Sequence, residues 1–306
     1  MCITCGCTNA DGVIITDPET GILKALSKEE HERMHAQGRH VYHRHHGHSH
    51  APHQHTHEAA PVSVTATVHG TTISVEQEIL SKNNTISQRN RSWLAQRRVL
   101  ALNLVSSPGS GKTSLLERTI RDLQTRVAIS VIEGDQETAN DAERIRATGC
   151  KAIQINTGKG CHLEAAMVEE ALATLDAPAD SVVMIENVGN LVCPALFDLG
   201  ELAKVVILSV TEGDDKPLKY PHMFRAAKLM LINKMDLLPY VNFNIEQCIA
   251  NAQRVNPNIQ TYCVSATSGA GMEDWYRWVE DALQQFASKM PFSYTLPHAG
   301  GGLGRG

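Results

Sequence analysis

The pattern of apolar and polar residues changes near residue 98. From there on, short runs of apolar and β-branched residues alternate with stretches in which apolar residues recur at helical spacing. The pattern predicts strands at residues 99–105, 127–132, 152–156, 181–185, 204–210, 228–232 and 261–264, and helices at residues 114–123, 163–175 and 272–286. This βαβ alternation is typical of a parallel sheet that is covered on both faces. We therefore expect one α/β domain over residues 85–290, with a mostly parallel central sheet and helices on both faces.

Residues 1–80 lack this alternation, and their composition predicts a largely disordered tail. Within it, Ser-Lys-Glu-Glu at residues 27–30 matches a capping box and could begin a short helix. Residues 40–57 contain nine histidines together with Pro, Gly and Gln, without apolar periodicity, so this stretch cannot form a core. At the other end, the glycine-rich residues 291–306 predict a flexible C-terminus.

The charge and the composition narrow the class of partner. A net charge of -5 gives no basic surface for nucleic acid or for an anionic membrane. No apolar run approaches the roughly 18 residues that a membrane span needs, and the first residues lack the features of a signal peptide. We expect a cytoplasmic protein, in which the eight cysteines are metal ligands or core residues rather than disulfides.

Residues 106–113 have the sequence SSPGSGKT, which follows the first predicted strand and opens a helix. This is the context of a phosphate-binding P-loop, in which glycines let backbone N–H groups surround the β-phosphate at a helix N-terminus. Lys112 would reach the β- and γ-phosphates, and the Thr113 hydroxyl would bind Mg²⁺. The alternative is a plain strand–turn–helix with a solvated lysine, and Ser106 departs from the usual glycine. The predicted phosphate-binding residues are Gly109, Ser110, Gly111, Lys112, Thr113 and Ser114.

A second motif, Asn-Lys-Met-Asp at residues 233–236, follows a later predicted strand and matches N-K-x-D. The Asp236 carboxylate can accept hydrogen bonds from N1–H and the N2 amine of guanine, a donor pair that adenine lacks. Asn233 would tie this loop to the P-loop, and Lys234 would lie over the base. Ser265, Ala266 and Thr267, after the last predicted strand, would place a backbone N–H at the guanine oxygen. The combination selects GTP over ATP.

Two strand ends are candidates for the switch that senses the γ-phosphate. Ile-Glu-Asn-Val-Gly at residues 185–189 resembles an acidic-x-x-Gly element, in which the Gly189 N–H meets the γ-phosphate and Glu186 supports Mg²⁺ directly or through water. Asp135, at the end of another predicted strand, is a second candidate for the Mg²⁺ shell or for orienting the attacking water. Capping of the next helix is the alternative role for Asp135. The predicted catalytic residues are Lys112, Thr113, Asp135 and Glu186.

The tail carries two groups of possible metal ligands. Cys2, Cys5 and Cys7 place three thiols within six residues, and the glycine between the last two permits a tight turn. Thiolates in this arrangement suit Ni²⁺ or Zn²⁺, the alternative being a set of exposed thiols. The histidine tract at residues 40–57 predicts a reservoir that binds several Ni²⁺ or Zn²⁺ ions loosely, unless it is only a solvated linker. Its candidate ligands include His43, His45, His46, His48 and His50.

A third group of ligands lies inside the predicted domain. Cys161 and His162 come just before a predicted helix, a position that lowers the pKa of a thiol. Cys193 follows seven residues after Glu186, on the segment that should respond to the γ-phosphate. A metal held by Cys161, His162 and Cys193 would therefore sense GTP, with water or a second subunit completing its shell. Taken singly, each of the three is more typical of a core or surface residue. Nickel and zinc both suit this ligand set. The remaining cysteines, Cys150, Cys248 and Cys263, are predicted to be packing residues.

These motifs together resemble the hydrogenase nickel-incorporation GTPases, the HypB family. The motifs that carry the resemblance are CITCGC at residues 2–7, GKT at 111–113, NTGKGCHL at 156–163, ENVGNLVCP at 186–194 and TEGDDKP at 211–217. The resemblance implies a dimerising class of P-loop GTPases that includes signal-recognition and urease-accessory GTPases. Ser107 agrees with GTP, because ATPases of that class usually carry a lysine in this stretch.

The resemblance also implies a cargo and partners. It implies delivery of Ni²⁺ to the [NiFe]-hydrogenase large subunit, together with a small zinc-bearing accessory protein. It implies metal ligation by Cys161, His162 and Cys193 at a homodimer interface that GTP or metal promotes, and nickel ligation by residues 2–7. Three other functions remain open: a urease-type nickel GTPase, which is not expected to carry the thiols at 2–7; a nickel or zinc storage protein with a structural P-loop; and a small-molecule kinase, which the guanine motif disfavours.

Overall fold

The computed structural model describes residues 12–16, 23–27, 63–135, 140–158 and 160–289. Internal contacts divide the chain into two units, Met1–Ile73 and Ser74–Gly306. The thiols at residues 2–7, the histidine tract and residues 291–306 lie outside the described residues, so what the sequence predicts for them stays a prediction.

The first unit contains a two-stranded antiparallel sheet. Strand β1 (Gly12–Thr16) pairs with β2 (Leu23–Ser27), with Gly12 opposite Ser27. Neither strand is expected from the hydrophobic pattern. Ser27, the first residue of the predicted capping box, ends β2, and residues 28–30 lie outside the described part of the chain.

A long helix, α1 (Ser63–Arg97), crosses the predicted start of the domain at residue 85 and is also absent from the sequence prediction. In its second half, the buried positions are 83, 87, 90 and 94, which is the spacing of one helical face. Three of those four residues are polar, namely Asn83, Ser87 and Asn90, and only Leu94 is apolar. A search for apolar periodicity therefore misses the face on which this helix packs.

A seven-stranded sheet forms the centre of the second unit, within residues 100–263. Its strands are β3 (Leu100–Ser106), β4 (Ile129–Asp135), β5 (Lys151–Asn156), β6 (Val182–Glu186), β7 (Ala203–Ser209), β8 (Ala227–Asn233) and β9 (Gln260–Cys263). Their order is β5-β4-β6-β3-β7-β8-β9, and every neighbouring pair is parallel. The prediction of a parallel sheet is confirmed, and each predicted strand overlaps an observed one.

Helices cover both faces of this sheet, as the apolar strands predict. The helices are α2 (Lys112–Leu123), α3 (Asn140–Arg146), α4 (Ala165–Leu175), α5 (Lys216–Lys219), α6 (Pro221–Ala226), α7 (Ile245–Val255) and α8 (Met272–Lys289). On one face, Leu102 of β3 shares a buried cluster with Leu116 of α2 and Trp275 of α8. On the other face, Ala101 lies in a cluster with Leu172 of α4, and a further cluster joins β7 and β8 to α6 and α7. Among the described helices, none is long and apolar enough to cross a membrane.

The strand order determines where a ligand can bind. After β3 the chain moves to β4 and β5 on one side of it, and later to β7, β8 and β9 on the other side. Ligands of open parallel sheets bind beyond the carboxyl ends of the strands, where the strand order reverses in this way. The ends of β3, β4, β6 and β8 meet there and bring Ser106, Glu133, Glu186 and Asn233 to the same edge.

Candidate nucleotide and metal sites

A cleft of about 670 Å³ opens at the carboxyl ends of the strands. Residues 106–114 form one wall of the cleft, and residues 186–190, after β6, form another. It therefore includes every predicted phosphate-binding residue, together with Gly189. The other lining side chains include Glu133, Asp141, Arg144, Cys161 and Lys234.

The P-loop joins the end of β3 to the start of α2 in a tight turn. Gly109 has φ +74° and Gly111 has φ +88°, a backbone region that favours glycine. A Cβ on Gly111 would also lie 2.7 Å from Nδ2 of Asn233. Ser106, which departs from the usual glycine, is the last residue of β3, so its extended backbone accommodates a side chain.

The two P-loop residues that begin α2 both contact Glu186. Lys112 Nζ donates to Glu186 Oε1 at 2.8 Å, and Thr113 Oγ1 donates to the same oxygen at 2.7 Å. Glu186 is 1% exposed, and its other carboxylate oxygen, Oε2, is buried without a hydrogen-bond partner among the described residues. A buried carboxylate oxygen beside a threonine hydroxyl is suited to Mg²⁺ or to one of its water ligands, so these residues fit the cofactor that the P-loop implies.

Three charged residues of the cleft do not appear among the predicted site residues. Asp141 Oδ2 lies 3.1 Å from Thr113 Oγ1, and Arg144 donates to Asp141 Oδ1 at 3.0 Å. Glu133 is 2% exposed and is the register partner of Glu186 on the neighbouring strand. Of these, Asp141 has a sequence signal, since it is an acidic residue in the first turn of a helix that follows a strand.

Asp135 ends β4, but its side chain lies outside the described part of the chain. Its proposed role in the Mg²⁺ shell or in orienting water therefore stays a prediction. The contacts of Thr113 favour Glu186 and Asp141 as its acidic neighbours.

The segment that follows β6 lies against the P-loop. A Cβ on Gly189 would lie 3.1 Å from the ring of Pro108, so this close approach favours glycine. Asn187 Oδ1 accepts hydrogen bonds from the Val188 and Leu163 amides at 3.0 and 3.3 Å. The switch candidate thus contacts both the phosphate loop and the segment that carries Cys161 and His162.

The predicted guanine motif is attached to the P-loop by two side chains. Asn233 Nδ2 donates to Ser110 O at 3.0 Å, which is the tie that the motif predicts. Lys234 has φ +63° and donates from Nζ to Gly109 O at 2.6 Å. Asp236 is exposed, and its carboxylate accepts a hydrogen bond from Ser265 Oγ.

The backbone donors expected at the guanine oxygen are engaged within the protein. The Ser265 N–H donates to Ala270 O at 2.8 Å, and the Ala266 N–H donates to Asn233 Oδ1 at 3.3 Å. The role expected at the guanine oxygen, for a backbone N–H of residues 265–267, stays a prediction. Ser265 contributes through its hydroxyl, which orients Asp236, and Ala266 helps to hold Asn233.

Cys161, His162 and Cys193 come together at the side of the nucleotide cleft. The two Sγ atoms are 2.9 Å apart, and Cys161 Sγ lies 3.6 Å from His162 Nδ1. One ligand atom from each residue falls within 4.8 Å of the others, and in the described part of the chain this is the one such group of three or more His, Cys, Asp or Glu residues. Two thiolates this close repel each other, and a divalent cation between them removes that repulsion.

Burial prepares His162 for metal binding. It is 9% exposed, and its ring packs on Phe197 with 3.9 Å between ring centroids. This burial lowers the pKa of His162, with Glu164, 3.8 Å from Nε2, acting in the opposite direction. A lowered pKa keeps the imidazole neutral, which is the form that binds a metal.

The other described cysteines behave as packing residues. Cys248 lies on the buried face of α7, in the cluster that joins α7 to the sheet, and Cys150 and Cys263 pack at the margins of the core. Burial raises the pKa of Cys150 to about 11 and that of Cys248 to about 12. These thiols therefore stay protonated, unlike ligands of a metal.

Comparison with known proteins identifies the family. Residues 100–262 match the model described as CobW/HypB/UreG, nucleotide-binding domain. The chain is 61% identical over 208 residues to hydrogenase maturation factor HypB of Escherichia coli K12, covering 68% of this chain and 72% of the relative. It is 43% identical to the HypB of Cupriavidus necator over 329 aligned positions, which cover 91% of this chain and 88% of the relative.

Solved structures agree with the sequence relatives. The crystal structure of HypB from Helicobacter pylori in complex with nickel has a TM-score of 0.63 and 35% identity, covering 70% of this chain and all (100%) of that one. HypB from Archaeoglobus fulgidus has a TM-score of 0.62 and 40% identity, covering 66% of this chain and 99% of that one. The chain therefore belongs to the HypB family of hydrogenase maturation factors.

Proposed function

We propose that the chain is a GTP-hydrolysing metallochaperone that binds Ni²⁺ and delivers it to the [NiFe]-hydrogenase large subunit. One observation carries the proposal: a single short segment connects the phosphate site to the thiol cluster. Glu186, at the start of the segment, accepts hydrogen bonds from Lys112 and Thr113. Cys193, at its end, contacts Cys161. A change at the γ-phosphate can reach the metal ligands through these few residues.

The nucleotide chemistry follows from the P-loop contacts. Lys112 would exchange Glu186 for the β- and γ-phosphates of bound GTP, and the Thr113 hydroxyl and Glu186 would hold Mg²⁺ or one of its water ligands. The chemistry that Mg²⁺ supplies when bound is charge neutralisation at the transferred phosphoryl group. Lys112 would stabilise the same charge, because its side chain is only 12% exposed and an ammonium acts more strongly there than in open water.

The guanine motif supplies the preference for GTP. Ser265 holds the exposed Asp236 carboxylate with one hydrogen bond, which leaves further lone pairs for guanine N1–H and N2. Asn233 fixes the distance between this loop and the P-loop by bonding Ser110 O. The base-binding loop and the P-loop are thus held at a fixed distance from each other.

The metal cluster supplies the cargo site. Two cysteines and a histidine suit Ni²⁺ or Zn²⁺, and the nickel complex of the Helicobacter pylori HypB supports nickel as the cargo. Three ligands from one chain leave positions for water, for a second copy in a homodimer, or for an acceptor. An open coordination shell suits a protein that must release its metal to the zinc-bearing accessory protein or to the large subunit.

Transfer of radioactive nickel to the purified, metal-free hydrogenase large subunit tests this function. The full chain is loaded with nickel and mixed with the large subunit and the accessory protein, in the presence of GTP, GDP or a non-hydrolysable GTP analogue. We expect transfer to depend on GTP and to be lost in Cys193→Ala but kept in Cys248→Ala, the matched buried thiol. Equal transfer with every nucleotide would instead support a storage protein with a structural P-loop.

A further inference from the structure

Helix α1 contacts both segments that carry the metal ligands. Asn83 Oδ1 accepts a hydrogen bond from the Ala165 amide at 2.9 Å, and Asn83 Nδ2 donates to Asp198 O at 2.8 Å. Ala165 is the first residue of α4 and follows His162 by three positions. Asp198 lies beyond Cys193 on the other ligand-bearing segment. One buried side chain therefore bridges the two.

A second asparagine forms a similar bridge about two helical turns further along α1. Asn90 Nδ2 donates to Ala165 O at 2.8 Å and to Leu199 O at 3.0 Å. Asn90 is 1% exposed and Asn83 is 5% exposed. The Ala165 amide is one of the first N–H groups of a helix, which have no partner inside that helix, so α1 supplies what α4 lacks.

The loop after Cys193 is shaped for this contact. Gly200 has φ +95°, and a Cβ there would lie 2.7 Å from Asn90 Cβ and 2.8 Å from Ser87 O. Only a glycine lets α1 approach so closely. The same loop places Phe197 on the His162 ring, so its position affects the metal ligand directly.

We propose that Asn83 and Asn90 are positioning residues of the metal site. Each asparagine joins the segment that carries Cys161 and His162 to the segment that carries Cys193 and Phe197. Any change in the distance between these two segments therefore breaks a buried hydrogen bond. Ligands that are held in place before the metal arrives bind it more tightly. This inference rests on the proposed function, because it assumes that the cluster binds metal.

The alternative is that the two asparagines only anchor α1 to the domain. Two observations separate the roles. No α1 side chain in the described residues lines the nucleotide cleft, so a positioning role predicts a metal effect without a loss of GTP turnover. Arg89 also joins α1 to α4, through Glu169, but these bonds lie at the surface and do not extend to the Cys193 side.

The test uses the full chain with Cys2, Cys5 and Cys7 changed to Ala, so that the tail thiols do not capture the metal. Ni²⁺ and Zn²⁺ affinities are measured for this parent and for Asn83→Ala and Asn90→Ala. We expect each asparagine variant to bind either metal roughly tenfold more weakly, the factor for one lost buried hydrogen bond. The nickel–thiolate absorption bands should shift, and metal-free GTP turnover should stay within about twofold.

Two control variants isolate the effect. Arg89→Ala breaks an exposed contact of the same helix, and Asn251→Ala removes a buried amide of α7 that donates to Asp214 O, outside the two segments that carry the metal ligands. Both should keep the parent's metal affinity, even where Asn251→Ala lowers the melting temperature. Should an asparagine variant fail to fold, Asn83→Asp and Gly200→Ala disturb the same bridge, and they should weaken metal binding in the same direction.

The outcomes separate the two proposals. Unchanged metal affinity and unchanged absorption bands in the asparagine variants overturn the positioning role, as does an equal loss in Asn251→Ala. If Cys161→Ala leaves the parent's affinity unchanged, the metal site itself is wrong and both proposals fall.

Discussion

The Sγ atoms of Cys161 and Cys193 lie 2.9 Å apart, although 32 positions separate the two residues in the chain. The sheet order explains the contact, because β4 lies between β5 and β6 and the segments after β5 and β6 both turn towards the cleft. Asn190 reinforces it by donating from Nδ2 to Cys161 O at 3.2 Å. One thiol of the pair, that of Cys193, therefore lies on the segment that also contacts the P-loop.

Exchange of Asp236 for Asn should weaken GTP binding on the order of 100-fold and favour xanthine nucleotides. The Asn amide donates a hydrogen bond where the Asp carboxylate accepts one. It therefore pairs with the ring carbonyl that xanthine carries in place of the guanine N2 amine. Nucleotide affinities measured by fluorescence titration check this, with the exposed Asp274→Asn as the control. Unchanged guanine preference would remove the base-binding role of Asp236.

Lys112→Ala and Thr113→Ala should each lower GTP turnover by a factor of about 100 to 1,000. The lysine substitution removes positive charge at the transferred phosphoryl group, and the threonine substitution removes a Mg²⁺ ligand. Steady-state phosphate release measures both. Normal turnover in the two variants would contradict a catalytic P-loop.

Lys112→Ala should also destabilise the nucleotide-free protein, by about 3–5 kcal/mol, because it leaves Glu186 as an unpaired buried carboxylate. The side chains of this pair are 12% and 2% exposed. The double variant with Glu186→Gln should recover much of the loss, since no buried charge remains. Urea unfolding without nucleotide tests this, and equal stability of the single and double variants would show that the pair carries no such cost.

A second buried pair, Lys204 with Glu201, should respond in the same way. Lys204 Nζ also donates to Phe197 O at 2.8 Å, and the side chains of the pair are 8% and 5% exposed. We expect Lys204→Met to lower the free energy of unfolding by about 3–5 kcal/mol. Arg277→Met, which breaks an exposed pair with Asp274, should change it by less than about 1 kcal/mol. Similar losses in the two variants would contradict this reasoning.

Much of the fold and of the site follows from short sequence motifs, and this part is predictable. The parallel strands follow from continuous apolar runs, and the P-loop and the bond from Asn233 to Ser110 follow from motifs whose spacing fixes their geometry. The thiol cluster was also expected, because Cys193 follows so soon after Glu186.

What could not be predicted depends on long-range polar contacts. Helix α1 packs through Asn83, Ser87 and Asn90, whose role is invisible to apolar periodicity. Asp141 is found beside Thr113 only once α3 is folded against α2. The hydrogen bonds of the Ser265 and Ala266 amides, to Ala270 and Asn233, depend on the loop geometry and cannot be derived from the motif.

The tail should hold the tightest nickel site. Changing Cys2, Cys5 and Cys7 together to Ala should abolish that site and leave GTP turnover nearly intact, because every predicted nucleotide-binding residue lies between residues 109 and 267. Deleting residues 40–57 should lower the number of ions bound without losing the tightest one. Metal titrations of the three proteins check this, and retained tight nickel without the three thiols would move the site elsewhere.

The central claim is that the γ-phosphate and the metal ligands are coupled through residues 186–193. The direct measurement is a titration of Ni²⁺, and then of Zn²⁺, into the full chain carrying the three tail substitutions, loaded with GDP or with a non-hydrolysable GTP analogue. We predict affinities that differ by roughly 5- to 150-fold between the two states, with the reciprocal change in relative GTP and GDP affinity when metal is bound. Cys193→Ala should erase the difference, and Cys248→Ala should keep it. Equal affinities of both metals in both nucleotide states would contradict the claim.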